Sequence, residues 1–187
     1  MPLPLKPFQM IRHGQSTANA AHNFAGIIDV ELTKQGEAEA GLAREIFKSQ
    51  KNKPSIIIHS KLSRARQTAE IINVALNLDM IEHAHIHEQD FGEWEDQPVE
   101  IFLESYIARK PPTNGECFDT FDNRVKTALN DILKQHENPL IVCHGGVFRA
   151  FHSLYNQGRF FVENAIPYAF TPTNENKEFP WNIDLIR

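Results

Sequence analysis

The sequence has little of what marks a secreted, membrane-anchored or nucleic-acid-binding protein. It contains only two cysteines, and Cys143 lies in an apolar run, so we expect Cys117 and Cys143 to be reduced rather than paired. No apolar stretch approaches the ~20 residues that span a bilayer, and residues 1–6 lack the charged start and apolar run of a signal peptide. No Asn-x-Ser/Thr acceptor for glycosylation occurs. These features predict a cytoplasmic protein that does not bind a membrane.

The charge balance disfavours a further class of partner. The 187 residues carry 19 Lys+Arg against 24 Asp+Glu, for a net charge of -5, and there is no basic tail. A mildly acidic protein binds long nucleic acids poorly, so an anionic ligand would have to bind in a local pocket. A chain of this length is expected to form one domain over residues 1–187, with a core that is stable without cross-links.

Three short apolar runs predict buried strands, and each is followed by residues suited to bind an anion. The runs cover residues 8–11, 55–59 and 140–143. In open α/β sheets, ligands bind outside the carboxyl ends of the strands, where side chains from neighbouring strands converge. If the three strands are parallel and adjacent, one edge of the sheet receives two guanidinium groups and two imidazoles. These belong to Arg12, His13, Arg64 and His144.

Arg64 lies where a helix is expected to begin. Ser63 is a candidate N-cap, and Ala65, Ala69 and Ile72 form an apolar helix face. The free N–H groups and the dipole at a helix N-terminus already favour a negative ligand, which makes a cation there unfavourable unless an anion binds. We therefore interpret Arg64 as a residue that binds an anion.

Phosphate is the anion that suits this set of side chains best. The planar fork of an arginine binds two of its oxygens, and the repulsion between the cationic groups is relieved by a dianion. A neutral histidine can attack phosphorus to form a phosphohistidine, so no metal or other cofactor is required. The leaving alkoxide then needs a proton. Glu88 is the candidate donor, because it follows a predicted strand and because Phe91 and Trp94 would hold it protonated by apolar contact.

Residues 80–87 predict a third strand in which three histidines alternate. This spacing would put His83, His85 and His87 on one face, where they could bind a metal ion. A metal-dependent hydrolase is therefore an alternative function. An exposed polar strand face is the simpler interpretation, because no second cluster with ligand spacing occurs nearby.

The remaining elements are predicted from helical and strand periodicity. Helices are expected at residues 33–50, 99–109 and 118–136, and residues 164–170 and 181–186 are expected to be irregular or edge strands. Thr33 is the predicted N-cap of the first helix. Its apolar positions Ala38, Leu42 and Ile46 are four apart, and we expect this face to pack on the sheet.

Four blocks occur in order between residue 8 and about residue 150. They are Arg12-His13-Gly14 with Asn19, Ser60-x-Leu62-x-Arg64-Ala65-x-x-Thr68-Ala69, Glu88-x-x-Phe91-Gly92-x-Trp94-Glu95 and His144-Gly145-Gly146. The set resembles the histidine phosphatase superfamily, in its phosphoglycerate mutase-like branch. The resemblance implies an α/β fold, a three-layer α/β/α sandwich with a mostly parallel central sheet. It also implies phosphorylation of His13, proton donation by Glu88, and a phosphate pocket formed by Arg12, Asn19, Arg64 and His144.

The sequence departs from the family pattern at two positions. Gln15 stands where an acidic residue is frequent, and Asp96 stands where glycine often follows Trp-Glu. These departures bear on substrate preference rather than on the chemistry.

The length of chain that could cover the site favours a phosphatase over a mutase. A mutase must keep its phosphohistidine away from water, whereas residues 89–138 of this chain offer only a partial lid. We therefore expect a phosphatase that acts on a small phosphorylated metabolite, with a cofactor-dependent phosphoglycerate mutase as the alternative. A phosphatase for phosphohistidine proteins would have little use for the acid Glu88. A catalytically idle phospholigand-binding module is disfavoured, because both nucleophile and acid are present.

Overall fold

The computed structural model describes residues 3–157, 160–175 and 178–187, which form a six-stranded sheet between layers of helices. The strands are β1 (Phe8–Arg12), β2 (Ile57–Ser60), β3 (Met80–His83), β4 (Leu140–Cys143), β5 (Pro167–Pro172) and β6 (Trp181–Leu185). Their order in the sheet is β3-β2-β4-β1-β5-β6. The first four in this order are parallel, and β5 is antiparallel to both of its neighbours. The predicted α/β fold with a mostly parallel sheet is confirmed.

The helices connect the strands across both faces of the sheet. They are α1 (Thr17–Ala20), α2 (Lys34–Ser49), α3 (Ser63–Leu76), α4 (Val99–Ile107), α5 (Phe118–Gln135) and α6 (Gly145–Ser153). Thr33 caps α2 as predicted, since its hydroxyl oxygen accepts the Gly36 N–H at 3.1 Å. Among the described residues, no helix is both long enough and apolar enough to cross a membrane.

Alternating residues of the central strands bury opposite faces of the sheet. On one face, Met10, Ile58 and Ile141 pack against α5 and α6. On the other face, Ile11, Ile57 and Val142 pack against α2 and α3. These two cores make the predicted three-layer sandwich. Because α5 packs in one core layer, residues 118–135 of the predicted lid (89–138) belong to the sandwich, and a lid over residues 89–117 stays a prediction.

The predicted apolar face of α2 was wrong. Ala38 and Leu42 are exposed, with Leu42 69% accessible, while Phe47 is fully buried. The buried face is otherwise made of small residues, Gly36, Ala40 and Ala43. A Cβ at Gly36 would overlap the carbonyl oxygen of Gln15, so α2 approaches the loop after β1 more closely than a larger residue allows. Close approach and burial of one phenylalanine therefore determine which side of α2 faces the sheet.

The predicted strand over residues 80–87 was also too long. β3 ends at His83, and the chain turns through residues 84–87 before it reaches Glu88. Ile86 is fully buried in the core that contains α5 and α6. Burial of this side chain takes the backbone away from the sheet, so the three histidines do not lie on one strand face.

Candidate active site

The edge of the sheet where β1, β2 and β4 end brings together the predicted site residues. These three parallel strands are neighbours, with β4 in the middle. The imidazole centroids of His13 and His144 are 5.2 Å apart, although the two residues are far apart along the chain. The predicted convergence of strand ends is therefore observed.

His13 is fixed in one tautomer by the backbone next to it. The backbone N–H of His13 donates to the Cys143 carbonyl at 3.0 Å, and this hydrogen bond extends the pairing of β1 with β4 by one residue. The residue is 4% exposed, and its Nδ1 lies 2.7 Å from the carbonyl oxygen of Gly14. A carbonyl oxygen only accepts, so Nδ1 carries the proton and Nε2 keeps its lone pair. Nε2 is therefore the nucleophilic atom of this ring.

The electrostatic surroundings keep this imidazole neutral. Burial lowers the pKa of His13 well below its ordinary value, and the charges of Arg64 and Arg12 lower it further. The hydrogen bond to Gly14 acts in the opposite direction and is the smaller effect. A neutral ring can attack phosphorus, whereas a protonated one cannot.

His144 is the second buried imidazole at this edge. It precedes α6, is fully buried, and has a pKa well below its ordinary value for the same main reason, desolvation. Its Nε2 lies 2.8 Å from the Ser60 hydroxyl oxygen. Among the described residues its buried Nδ1 has no hydrogen-bond partner. We assign the ring proton to Nδ1, with the Ser60 hydroxyl donating to Nε2, which leaves one N–H available for a ligand.

Arg12 supplies a second open donor. Its Nη1 donates to the Val162 carbonyl at 3.0 Å, while its buried Nε has no partner in the described part of the chain. A Cβ built on Gly145 would come 3.7 Å from this Nε, so the start of α6 lies against the guanidinium group. Arg12 and His144 therefore meet at the beginning of α6, each with an unpartnered nitrogen.

Arg64 lies in the first turn of α3, as predicted, and its role in binding an anion stays a prediction. Its side chain is buried, at 1% exposure, and both terminal nitrogens donate to backbone carbonyls of the loop after α1. The acceptors are the carbonyls of Ala25, Gly26 and Ile28, at 2.8 to 3.1 Å. The guanidinium group thus holds this loop, and its positive charge acts on both imidazoles. Burial lowers the pKa of Arg64 to about 10, which leaves it charged at neutral pH.

The predicted cap of α3 was wrong. Leu62 is the N-cap residue and makes no side-chain capping bond. Ser63 is the first residue of the helix, and its hydroxyl donates to Asp29 Oδ2 at 2.7 Å. Its N–H donates to Asp29 Oδ1 at the same distance. An acid from the loop therefore satisfies this helix end, which sequence spacing did not indicate.

Glu88 reaches the site from the turn after β3. Its Oε2 accepts the Gly146 N–H at 2.9 Å, and its Oε1 accepts the Gln89 N–H at 2.9 Å. Its charge acts on both Arg12 and Arg64, so the carboxyl group faces the cationic pocket.

The predicted apolar contact with Glu88 was wrong. Phe91 and Trp94 pack with Phe24 in a separate cluster, and Glu88 is held by backbone N–H groups instead. A Cβ at Gly146 would overlap Glu88 Oε1, so the second glycine of His144-Gly145-Gly146 makes room for the carboxyl group.

Asn19 is linked to His13 through a residue that the sequence did not suggest. Its Oδ1 accepts the Ser16 N–H, which completes a capping box at the start of α1. It also accepts from Asn164 Nδ2 at 3.2 Å, and the same Nδ2 lies 2.8 Å from the His13 carbonyl oxygen. Asn164 comes from the loop before β5, and no local pattern distinguishes it from other loop asparagines.

The two departures from the family pattern have structural roles. The side chain of Gln15 accepts the Thr33 hydroxyl at 2.7 Å, so it supports the start of α2. Asp96 has φ of 58°, a left-handed conformation that glycine adopts at no cost and aspartate tolerates. Glycine and aspartate at position 96 therefore meet the same backbone requirement.

The three alternating histidines do not form a metal site. His83 and His85 have ring centroids 6.0 Å apart, while His87 Nδ1 lies 2.7 Å from the carbonyl oxygen of Glu88. In the described residues, no group of three or more His, Cys, Asp or Glu side chains could hold a metal ion. The metal-dependent alternative therefore has no structural support.

Comparisons with known proteins agree on one family. The family model of the histidine phosphatase superfamily (branch 1) matches residues 8–161. The metal-independent phosphoserine phosphatase of Arabidopsis thaliana is 31% identical over 158 residues, which cover 76% of this chain and 66% of that protein. A 2,3-bisphosphoglycerate-dependent phosphoglycerate mutase of Parvibaculum lavamentivorans is 32% identical over 161 residues, 75% of each chain.

A solved structure has the same fold. A mycobacterial glucosyl-3-phosphoglycerate phosphatase superimposes with a TM-score of 0.80 at 21% identity, over 96% of this chain and 97% of that chain.

Proposed function

The chain belongs to the histidine phosphatase superfamily, and we propose on that basis that it hydrolyses a small phosphomonoester through a phosphohistidine intermediate on His13. The observation that carries the proposal is the state of His13. Its ring is buried, kept neutral, and held with Nδ1 on the Gly14 carbonyl so that Nε2 has a free lone pair. A nucleophile prepared in this way, beside two arginines, suits attack on a phosphate ester.

In the first proposed step, the lone pair of His13 Nε2 forms a bond to phosphorus as the ester P–O bond breaks. The leaving alkoxide takes a proton from the carboxyl group of Glu88, the proposed general acid. The open donors Arg12 Nε and His144 Nδ1, together with the charge of Arg64, are suited to stabilise the equatorial oxygens. The products of this step are the free alcohol, phosphohistidine and the Glu88 carboxylate.

In the second proposed step, water replaces the alcohol. Glu88 accepts a proton from the water as its oxygen attacks phosphorus, and the P–N bond breaks with the electron pair returning to Nε2. Inorganic phosphate is released, and both His13 and Glu88 return to their starting states. One carboxyl group therefore serves both half-reactions.

The partner proposed for this site is a small phosphorylated metabolite of the cytoplasm. The net charge of -5 offers no electrostatic attraction to a nucleic acid, whereas His13, Arg64 and His144 are buried at one edge of the sheet.

Trapping the intermediate tests the proposal. We expect an alkaline quench during turnover of 4-nitrophenyl phosphate to capture one phosphoryl group on the peptide containing His13, because phosphohistidine survives alkali and not acid. His13→Ala should lose this signal and reduce turnover at least ~10³-fold, because the nucleophile is removed. His85→Ala is the matched control, since that imidazole is exposed and lies in the turn after β3. Steady turnover without any trapped phosphoryl group would contradict the mechanism.

A mutase is the second candidate, because one relative is a phosphoglycerate mutase. Formation of 2-phosphoglycerate from 3-phosphoglycerate in the presence of bisphosphoglycerate would favour the mutase, and release of inorganic phosphate alone would favour the phosphatase. Residues 89–117 contain one α-helix of nine residues and a 3-10 helix at Gly92–Trp94. This is a small cover for protecting phosphohistidine from water, which supports the phosphatase.

A further inference from the structure

Helix α4 is weakly tied to the core and yet lies against the candidate site. None of its residues is buried, and Ile101 and Leu103 are 63% and 42% exposed. Its inner side chains pack against a small cluster of Phe24, Phe91 and Trp94. These inner side chains are Val99, Phe102 and Tyr106. The position of α4 therefore depends on this cluster and on whatever polar contacts join it to its neighbours.

Tyr106 lies at the boundary between the aromatic cluster and the cationic pocket. Its ring centroid is 5.9 Å from that of Phe91, a residue three positions after Glu88. The guanidinium carbon of Arg149 is 5.7 Å from the same ring, and Arg149 Nη2 donates to Gln89 Oε1 at 2.9 Å. One side of Tyr106 is therefore next to the segment that carries Glu88.

The charges of the site affect the pKa of Tyr106. Partial burial raises this pKa, the charge of Arg149 and a hydrogen bond with Arg149 lower it, and the charges of Glu88 and Arg12 raise and lower it respectively. Glu88 is the proposed proton donor to the alcohol, and Arg12 is proposed to bind the phosphoryl oxygens. An un-ionised hydroxyl near these groups can donate or accept a hydrogen bond.

An ionic bridge from α5 connects the end of α4 to α6. Asp122 is 7% exposed, and its Oδ2 lies 2.9 Å from Arg109 Nη2, just after α4. Its Oδ1 lies 3.8 Å from Arg149 Nη1 in α6. Both guanidinium groups also lie over the Phe118 ring, at 4.9 and 4.7 Å from its centroid. Asp122 therefore joins Arg109, just after α4, to Arg149 of α6, whose guanidinium group lies near the Tyr106 ring.

We propose that the Tyr106 hydroxyl contacts the alcohol portion of the substrate, and that Asp122 is the positioning residue that holds Tyr106 in place. This inference rests on the proposed phosphatase reaction. Because the alcohol leaves after the first step, this contact acts only while His13 is being phosphorylated. Hydrolysis of the phosphohistidine does not involve it. The inference thus separates the two half-reactions, which a purely structural role for Tyr106 would not do.

The test compares Tyr106→Phe with the wild type in single turnover with glycerol 1-phosphate. The variant keeps the ring and removes only the hydroxyl. Phosphorylation of His13 should slow about 3- to 10-fold, the range expected for one neutral hydrogen bond. The decay of phosphohistidine formed beforehand should be unchanged. Tyr155→Phe is the matched control, since Tyr155 follows the far end of α6 and packs on Phe151, and it should alter neither step.

The positioning role is tested with Asp122→Asn, which has the same shape and lacks the charge. It should slow phosphorylation alone, and adding it to Tyr106→Phe should produce little further loss, because both act on one contact. Arg109→Gln removes one partner of the bridge from a more exposed site and replaces Asp122→Asn if that variant does not fold.

Two results would overturn the inference. One is a wild-type rate of phosphorylation in Tyr106→Phe, and the other is an equal loss in both half-reactions. If the wild type forms no phosphohistidine at all, the proposed function itself is wrong.

Discussion

The strand ends that carry the proposed reacting groups and helix α4 are held in different ways. The floor of the site, formed by residues 12–14, 59–64 and 144–146, extends from strands that are buried on both faces. His13, Arg64 and His144 are each less than 5% exposed. The cover, residues 89–117, contains α4, which buries none of its residues. The cover is attached by an aromatic cluster and by the Asp122 bridge.

This difference in packing separates the groups proposed to react, which lie in the floor, from the groups proposed to contact the rest of the substrate, which lie in the cover. The floor holds two imidazoles and two guanidiniums in a desolvated pocket, which is costly for the fold and requires a rigid core on both sides. The cover contributes contacts whose loss leaves the core intact. Changes in the floor should therefore damage chemistry or folding, while changes in the cover should alter how the alcohol part of the substrate is bound.

The largest effect on this contrast is expected for Glu88→Gln, whose carboxyl group accepts the Gly146 N–H of the floor. Hydrolysis of an alkyl phosphate should slow about 10²- to 10⁴-fold, because general acid catalysis is lost. Hydrolysis of 4-nitrophenyl phosphate should slow far less, since that leaving group needs no proton. The measurement is kcat/KM for both substrates. Equal losses on the two would remove Glu88 from the acid role, and a loss no larger than that of Tyr106→Phe would erase the contrast between floor and cover.

A smaller effect is expected when one methyl group is added to the floor. Gly146→Ala forces its Cβ onto Glu88 Oε1, and we expect a loss of about 1–3 kcal/mol in the free energy of unfolding, with reduced turnover. Gly41→Ala in α2 is the matched control, because a Cβ there meets nothing within 4 Å. The control should stabilise the helix by about 0.5–1 kcal/mol. Urea denaturation measures the free energy of unfolding of both variants. An unchanged value for Gly146→Ala would contradict the prediction, because it would mean that Glu88 and α6 move apart without loss of stability.

The smallest effect concerns pH. The folded-state pKa values of His13 and His144 are lowered, so the unfolded chain binds protons that the folded chain does not. Their contribution to stability is therefore complete above the unfolded pKa of about 6.5 and is lost as the pH falls from there toward the folded values. Each histidine should contribute up to about 1.4 kcal/mol per pH unit in that window. Urea denaturation between pH 7.5 and 5 should show a shallower slope for His144→Gln than for the wild type.

Sequence reasoning was most successful where a run of apolar residues meets polar ones. The runs before Arg12 and His144 predicted parallel strands and a common edge, because an apolar strand buried on both faces has few other places in an α/β sheet. The face of α2 was mispredicted because periodicity counts apolar positions and does not weigh one buried phenylalanine against an exposed leucine. The strand before Glu88 was predicted too long, since alternation of histidines has the same period whether or not the backbone remains extended.

The residues alone determined which chemical groups follow the strands: which strands end in histidine and arginine, and that an acid follows between them. Only the tertiary structure decided which nitrogen of His13 is free, that Arg64 donates to the carbonyls of a loop, and that Glu88 accepts the N–H of Gly146. It also decided that Tyr106 packs against Phe91 and Arg149. Strand periodicity and residue type are local properties that the sequence carries directly. Tautomers, hydrogen-bond partners and the approach of α4 depend on backbone atoms brought together from distant parts of the chain.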